Sequence, residues 1–308
     1  MRILITGATG KFGPLLAAAL RDAGHQVAAL VHSQPLALPG VEQVRGDVTR
    51  PEDVKRACAG AGAVCHLATV KGDRQKFLAV NLGGLFNLLE YVRSQAAPPQ
   101  LIHLSGDNVL PIWDHPTAGA LDEAYPYLFV DDTYGLSKIL EEVMALQYAR
   151  KFKLPVTVLR SSWVMEARRI FTLCDPAKYG MKKYLPPELL AKLERKEPFR
   201  IVPLDAQGRP LRRNVIDPRD LTRAFLAVLG KPETYGELYN VAGAVFSHAD
   251  LAAHLSKKDG LPIHEVRVPD AHSFEIDTSK AAQKLGFRPA YTVFDTADWA
   301  AGGEGKRA

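Results

Sequence analysis

RILITGATGKFG, residues 2–13, is the stretch on which the fold turns. An apolar, β-rich run (RILIT, 2–6) leads directly into Gly7, Gly10 and Gly13, spaced three apart, and then into the helical pattern KFGPLLAAALRDAG over 11–24. Glycines at that spacing permit a tight turn, close approach of backbone N–H groups to a pyrophosphate, and close packing of a helix on a strand. Strand, glycine turn and helix in that order open a βαβ unit suited to a dinucleotide. Thr9, Lys11 and Phe12 lie inside the same cradle.

The alternation continues outward from there. QVAALVH (26–32), VEQVRGD (41–47), AVCHLAT (63–69), LIHLS (101–105) and PVTVLRSS (155–162) read as strands. PEDVKRACAG (51–60), KFLAVNLGGLFNLLEYVRS (76–94) and DTYGLSKILEEVMALQYARKF (132–152) read as helices. This spacing predicts an α/β chain with a Rossmann-type, doubly wound parallel sheet covered on both faces. After Ser162 the periodicity loosens, with PPELLAKLERK the clearest pattern, and it returns with NVID, the helix DLTRAFLAVLG (220–230) and the strand ELYNVAG (237–243). The expected organisation is a dinucleotide-binding domain over 1–162, rejoined by 214–243, and a smaller substrate-binding lobe made of 163–213 and the C-terminal 244–308. The tail GGEGKRA (302–308) is expected to be disordered.

With 308 residues, 47% apolar and 24% charged, the composition is that of a globular protein with a sizeable core. Cys58, Cys65 and Cys174 form no CxxC pair, so a reducing compartment and small buried thiols are expected rather than a disulfide framework. No signal-peptide core and no run of 18 apolar residues occurs, which predicts a soluble, cytoplasmic protein without a membrane partner. The nine histidines show neither HxH nor HExxH spacing, and no metal is assigned. The net charge of +5 is localised: residues 163–213 hold twelve basic side chains against six acidic ones. The general reading of such a run is solvated surface, and no nucleic-acid partner is expected.

TGATGKFG resembles the TGxxGxxG loop of the extended short-chain dehydrogenase/reductase superfamily, the NAD-dependent epimerase/dehydratase family. Further stretches resemble the family in the right order: GDVTRPEDV (46–54), HLAT (66–69), NLGGLFNLLE (81–90), YGLSK (134–138), NVIDPRDLTRAF (214–225) and FEIDTSKAAQKLGFRP (274–289). The resemblance implies cofactor contacts at Asp47, Val48, Leu67, Ala68, Thr69 and Asn81, besides the glycine loop. A homodimer paired through helices is also usual among such proteins. NAD enzymes place an acid near the end of the second strand to bond the ribose 2′-OH. Here that position reads VHSQ (31–34), and His32, Ser33 and Lys11 are donors suited to a 2′-phosphate, so NADP is expected ahead of NAD.

Tyr134 and Lys138 stand four apart and share a helix face. A free phenol titrates near ~10, and a nearby ammonium favours its phenolate, which makes such a pair a general acid–base and a hold on the nicotinamide ribose. The family's fifth strand ends in two hydroxyl residues, the second of which polarises the substrate carbonyl. In HLSGDNV (103–109) Ser105 falls on the first and Gly106 on the second. Either Ser105 takes the role after a local shift, or Asp107, Asn108 or Thr133 supplies the donor, or the protein binds nucleotide without turnover. Sugar-nucleotide members carry LRxxN on the sixth strand, whereas LRSSW puts Trp163 at the asparagine; Arg213 still falls on an arginine such enzymes use for a diphosphate. The reading is therefore an NAD(P)-dependent oxidoreductase moving hydride to or from a carbinol or keto carbon of a small, anionic or sugar-like substrate. Its alternatives are a sugar-nucleotide epimerase with bound NAD and a non-catalytic dinucleotide sensor.

Overall fold

The computed structural model describes residues 1–73, 75–112, 116–117, 119–127, 133–165 and 169–302. Its first half runs β1 (Arg2–Thr6), α1 (Gly13–Asp22), β2 (Gln26–Val31), β3 (Glu42–Arg45), α2 (Pro51–Cys58), β4 (Ala63–His66), α3 (Gly84–Ser94), β5 (Gln100–Gly106), α4 (Thr133–Phe152) and β6 (Val156–Ser161). There follow β7 (Trp163–Val164), α5 (Pro187–Glu194), β8 (Arg200–Leu204), β9 (Arg212–Arg213), β10 (Val215–Ile216), α6 (Pro218–Val228) and β11 (Leu238–Val241). The chain closes with β12 (Phe246–Ser247), α7 (His248–Asp259), β13 (Ile263–Arg267), α8 (Ser279–Leu285) and α9 (Val293–Ala301).

Seven parallel strands form one sheet in the order β11-β6-β5-β4-β1-β2-β3. Apart from the edge strand β3, which is largely exposed, the strands are short, mostly apolar runs buried on both sides, which is what a sheet covered by helices on both faces requires. One face packs Ile3, Ile5, Cys65 and Ile102 against Leu16, Ala17 and Leu20 of α1 and Phe225 of α6. The other packs Leu4, Val64, Leu101 and Val156 against α2, α3 and α4. All three cysteines are buried and free.

The expected strands 41–47 and 63–69 end sooner, at Arg45 and His66, and the helix 76–94 opens with a wide π-turn over Leu78–Gly83 before α3. Beyond Ser162 the chain holds more regular structure than its periodicity suggests. RIVPL (β8) pairs in parallel with IHEVR (β13), a strand formed more than fifty residues later. α7 is capped by the Ser247 side chain, and α9 by a capping box of Thr292 and Asp295. Met165, Leu173, Val202, Leu251, Leu255 and Ala297 make a core separate from the two faces of the sheet. The expected disorder of the tail falls, past Gly302, outside the described residues.

α4 is fixed to the sheet by charge. Glu142 accepts two bonds from Arg160 of β6, at 3.0 and 2.6 Å, and both side chains are almost wholly buried. One residue earlier, Glu141 receives the Lys138 ammonium at 2.7 Å and lies 3.1 Å from His103 Nε2 of β5. Breaking one partner of a buried pair strands the other charge, which costs about 3–5 kcal/mol. Glu142→Ala should lower the stability measured by urea unfolding by that amount; a loss below ~1 kcal/mol would show that α4 is held in place by other means.

Candidate active site

The strand order reverses between β1 and β4, and a cavity of about 1300 Å³ opens there, along the carboxyl ends of the sheet. Its lining gathers most of the residues singled out in the sequence: Gly7, Thr9, Gly10, Lys11, Phe12 and Gly13 after β1, His32 after β2, and Asp47 and Val48 after β3. Leu67, Ala68 and Thr69 follow β4, Ser105, Asp107 and Asn108 come from β5 and its end, Tyr134 and Lys138 from α4, and Trp163 from β7. Ser33, Asn81, Thr133 and Arg213 are not among the lining residues. Asn81 is fully buried, its amide spent on Val70 N–H (2.8 Å), Val70 O (3.2 Å) and Ser137 Oγ (2.9 Å), so it braces the loop after β4 against α4. Arg213 lies in the interior, its guanidinium 5.8 Å from the Phe274 ring.

The glycine loop fits a pyrophosphate by geometry. Gly7 has φ +71°, and a Cβ on it would stand 2.6 Å from Ala68 N; a Cβ on Gly13 would stand 2.4 Å from Ala8 O. Only glycine lets the turn pass under β4 and lets α1 start against it, with the positive end of the helix facing the cavity. After β3, Asp47 is a carboxylate in the cavity lining that a search for an acid on the second strand overlooks. Its Oδ1 accepts Thr49 N–H (2.9 Å), and its Oδ2 lies 3.5 Å from His32 Nε2.

At the other end, Lys138 is buried and donates to Glu141 Oε2 (2.7 Å) and to Leu104 O (3.2 Å). Lys138 and Glu141 hold each other charged: the ammonium pulls the Glu141 carboxyl down to about 2, against the desolvation that burial brings. Tyr134 lies between two lysines, with Lys138 Nζ 5.8 Å and Lys71 Nζ 4.2 Å from its ring centroid. Ser105 follows His103 by two residues and so shares the strand face that looks onto α4. Its hydroxyl has no hydrogen-bond partner among the described residues. Gly106 leaves open room, since a Cβ there meets nothing nearer than Asn108 Oδ1 at 3.8 Å. Asp107 accepts the Trp163 N–H at 2.9 Å, and burial pushes its carboxyl up to about 7, despite Lys71 and Arg213 nearby. Lys71, Arg169 and Trp299, also in the lining, carried no motif; their only signal was position, on the loop after a strand or on the second lobe.

Residues 3–242 match the family described as "NAD dependent epimerase/dehydratase family". The chain belongs to that family. Among curated proteins it is similar to a 2-alkyl-3-oxoalkanoate reductase of Stenotrophomonas maltophilia, 33% identical over 132 residues, 41% of this chain and 40% of that one. It therefore spans only about two fifths of that relative's length. A dTDP-glucose 4,6-dehydratase of Streptomyces antibioticus is 28% identical over 282 residues, 85% of this chain and 76% of that protein. Among solved structures, a short-chain dehydrogenase/reductase superfamily protein from Agrobacterium tumefaciens with bound NAD superposes with a TM-score of 0.83 at 25% identity, over 100% of this chain and 98% of that one. The extended short-chain dehydrogenase/reductase resemblance and the Rossmann-type sheet thus both hold. Among the described residues, no helix is long and apolar enough to cross a membrane.

Proposed function

We propose that the chain is an NAD(P)-dependent oxidoreductase acting on the carbinol or keto carbon of a small acid or sugar-like compound. The observation that carries this reading is Tyr134 in the cavity wall beside a lysine whose ammonium is pinned by Glu141 and Leu104 O. A lysine ammonium has three N–H donors, so two fixed bonds aim the third. When bound, nicotinamide supplies or accepts the hydride at the reacting carbon. Tyr134 Oη gives its proton to the substrate oxygen during reduction and removes it during oxidation. Ser105, a buried hydroxyl on the face toward α4, orients that oxygen, with Asp107 and Asn108 beside it. Residues 163–213 and 244–308 are assigned to the substrate lobe, which contributes Trp163, Arg169 and Trp299 to the wall. The S. maltophilia reductase supports a keto compound as substrate.

A second reading, a dehydratase or epimerase without net redox change, draws on the S. antibioticus relative and on Asp107, an acid held near neutrality in the cavity. A substrate screen following NAD(P)H absorbance separates the two. Under the oxidoreductase reading, Tyr134→Phe lowers kcat by roughly 10²–10⁴-fold with cofactor affinity kept. Ser105→Ala lowers it by roughly 10²–10³-fold, and Gly106→Ser in the Ser105→Ala background restores part of the loss, since the position has room for a hydroxyl. A Tyr134→Phe variant that retains most of its turnover defeats the assignment.

NADP is the cofactor we assign first, with NAD accepted. Lys11 and His32 line the cavity's adenosine end, and the Asp47 carboxylate stands against His32 rather than alone. NADPH should bind at least as tightly as NADH in calorimetry; NADH tighter by tenfold, about 1.4 kcal/mol, would reverse the preference.

We also assign a homodimer. Leu136, Leu140 and Val143 are exposed at i, i+4 and i+7 on α4, and Tyr148 links that helix to exposed Phe86 on α3 (ring centroids 6.3 Å). Leu140→Glu should turn a dimer into a monomer in sedimentation, and a wild-type monomer at micromolar concentration would exclude the pairing. Three buried thiols, pushed up to about 12 by desolvation, suit the reducing cytoplasm.

A further inference from the structure

The cations around the reacting end of the cavity are engaged to different degrees. Lys138 is committed to Glu141 and Leu104 O. Lys76 stands 3.1 Å from Asp73, and the Arg169 guanidinium lies 4.6 Å from the centre of the Trp163 ring. Lys71 differs. It sits on the loop after β4, lines the cavity, and rests its ammonium on the Tyr134 ring at 4.2 Å from the centroid. Among the described residues no carboxylate forms an ion pair with it. The aromatic face holds the ammonium in place without neutralising it.

We propose that Lys71 recognises the charge of the substrate: its ammonium docks a carboxylate one or two carbons from the reacting carbon, so the site takes 2- or 3-oxo acids and their hydroxy counterparts. This rests on the reading of Tyr134 as the proton carrier. A cation seated on that ring lies within one side chain's breadth of the phenol oxygen. A carboxylate bonded to it at ordinary charge-assisted distance, about 2.7–2.9 Å, therefore falls beside the carbon that Tyr134 serves. A longer acid, with its carboxylate many bonds away, would not reach both groups. Asp107, the acid in the same wall, feels the charge of Lys71, while burial pushes its carboxyl up to about 7.

The test uses the whole protein saturated with NAD⁺ or NADP⁺, whichever binds more tightly, so that a ketone forms a complex without turnover. Acetoacetate and methyl acetoacetate, the acid and its neutral ester, are compared by calorimetry or ligand-observed NMR. Acetoacetate should bind at least about tenfold more tightly than the ester, as loss of a bond to a charged group implies. Lys71→Gln should abolish the difference and Lys71→Arg should keep most of it. Equal binding of acid and ester, no binding of acetoacetate, or full discrimination by Lys71→Gln would each overturn the proposal. The complex requires no hydride transfer, so this result is independent of the Tyr134→Phe assay, which tests the reaction itself.

Discussion

Under α4 the chain buries two ion pairs, Glu142 with Arg160 and Glu141 with Lys138, in a region where a charge left alone would cost several kcal/mol. Each pair ties the helix to a neighbour in the sheet, Arg160 on β6 directly and His103 on β5 through Glu141. Turning α4 by one residue, about 100°, would break the Glu142–Arg160 pair and the approach of Glu141 to His103 at once. The helix therefore has one permitted rotation, and that rotation brings Tyr134 and Lys138 to the cavity wall. Hydrophobic contact alone would define it less sharply, because the buried side of α4 carries Ser137, Lys138, Glu141 and Glu142 while Leu136, Leu140 and Val143 are exposed.

The cavity owes its shape to the parallel sheet. The loops carrying Gly7, His32, Asp47 and Leu67 each leave a strand at its carboxyl end, so these residues converge on the cavity although they are far apart in sequence. Beneath them a buried row of polar groups runs from Thr6 Oγ to His66 Nδ1 (2.7 Å), across stacked His66 and His103 (5.4 Å), to Glu141 and Lys138. Desolvation pushes both imidazoles down, which keeps them neutral and lets them pack as rings inside the sheet face.

What the sequence discloses follows from the range of the interactions involved. β1, the glycine turn and α1 are local, and the residues that make them adjoin one another. YGLSK is one turn of one helix and is equally legible. β8 and β13 pair with each other across a long separation, and RIVPL, buried throughout and interrupted by Pro203, shows no alternation. Asn81 lies in a recognisable stretch, but its side chain turns inward to Val70 and Ser137, a choice made by tertiary contacts. Lys71 and Glu141 belong to no motif; they matter because of what the fold sets beside them.

β11 completes the sheet beside β6, yet the whole of β7 to α6 lies between them in the chain. The seven-stranded sheet is thus unfinished when its sixth strand leaves the ribosome, with β6 as a bare edge. Gln100, buried at the start of β5, likewise waits for Val228 O (3.0 Å) and Gly230 N–H (2.7 Å) before its amide is satisfied. During synthesis the segment from β7 to α6 must emerge, and stay clear of that open edge, before the seven-stranded sheet can close. The order of translation thereby makes the sheet and the segment from β7 to α6 mature together, and a chain truncated ahead of Leu238 would expose an unpaired β6 to its neighbours.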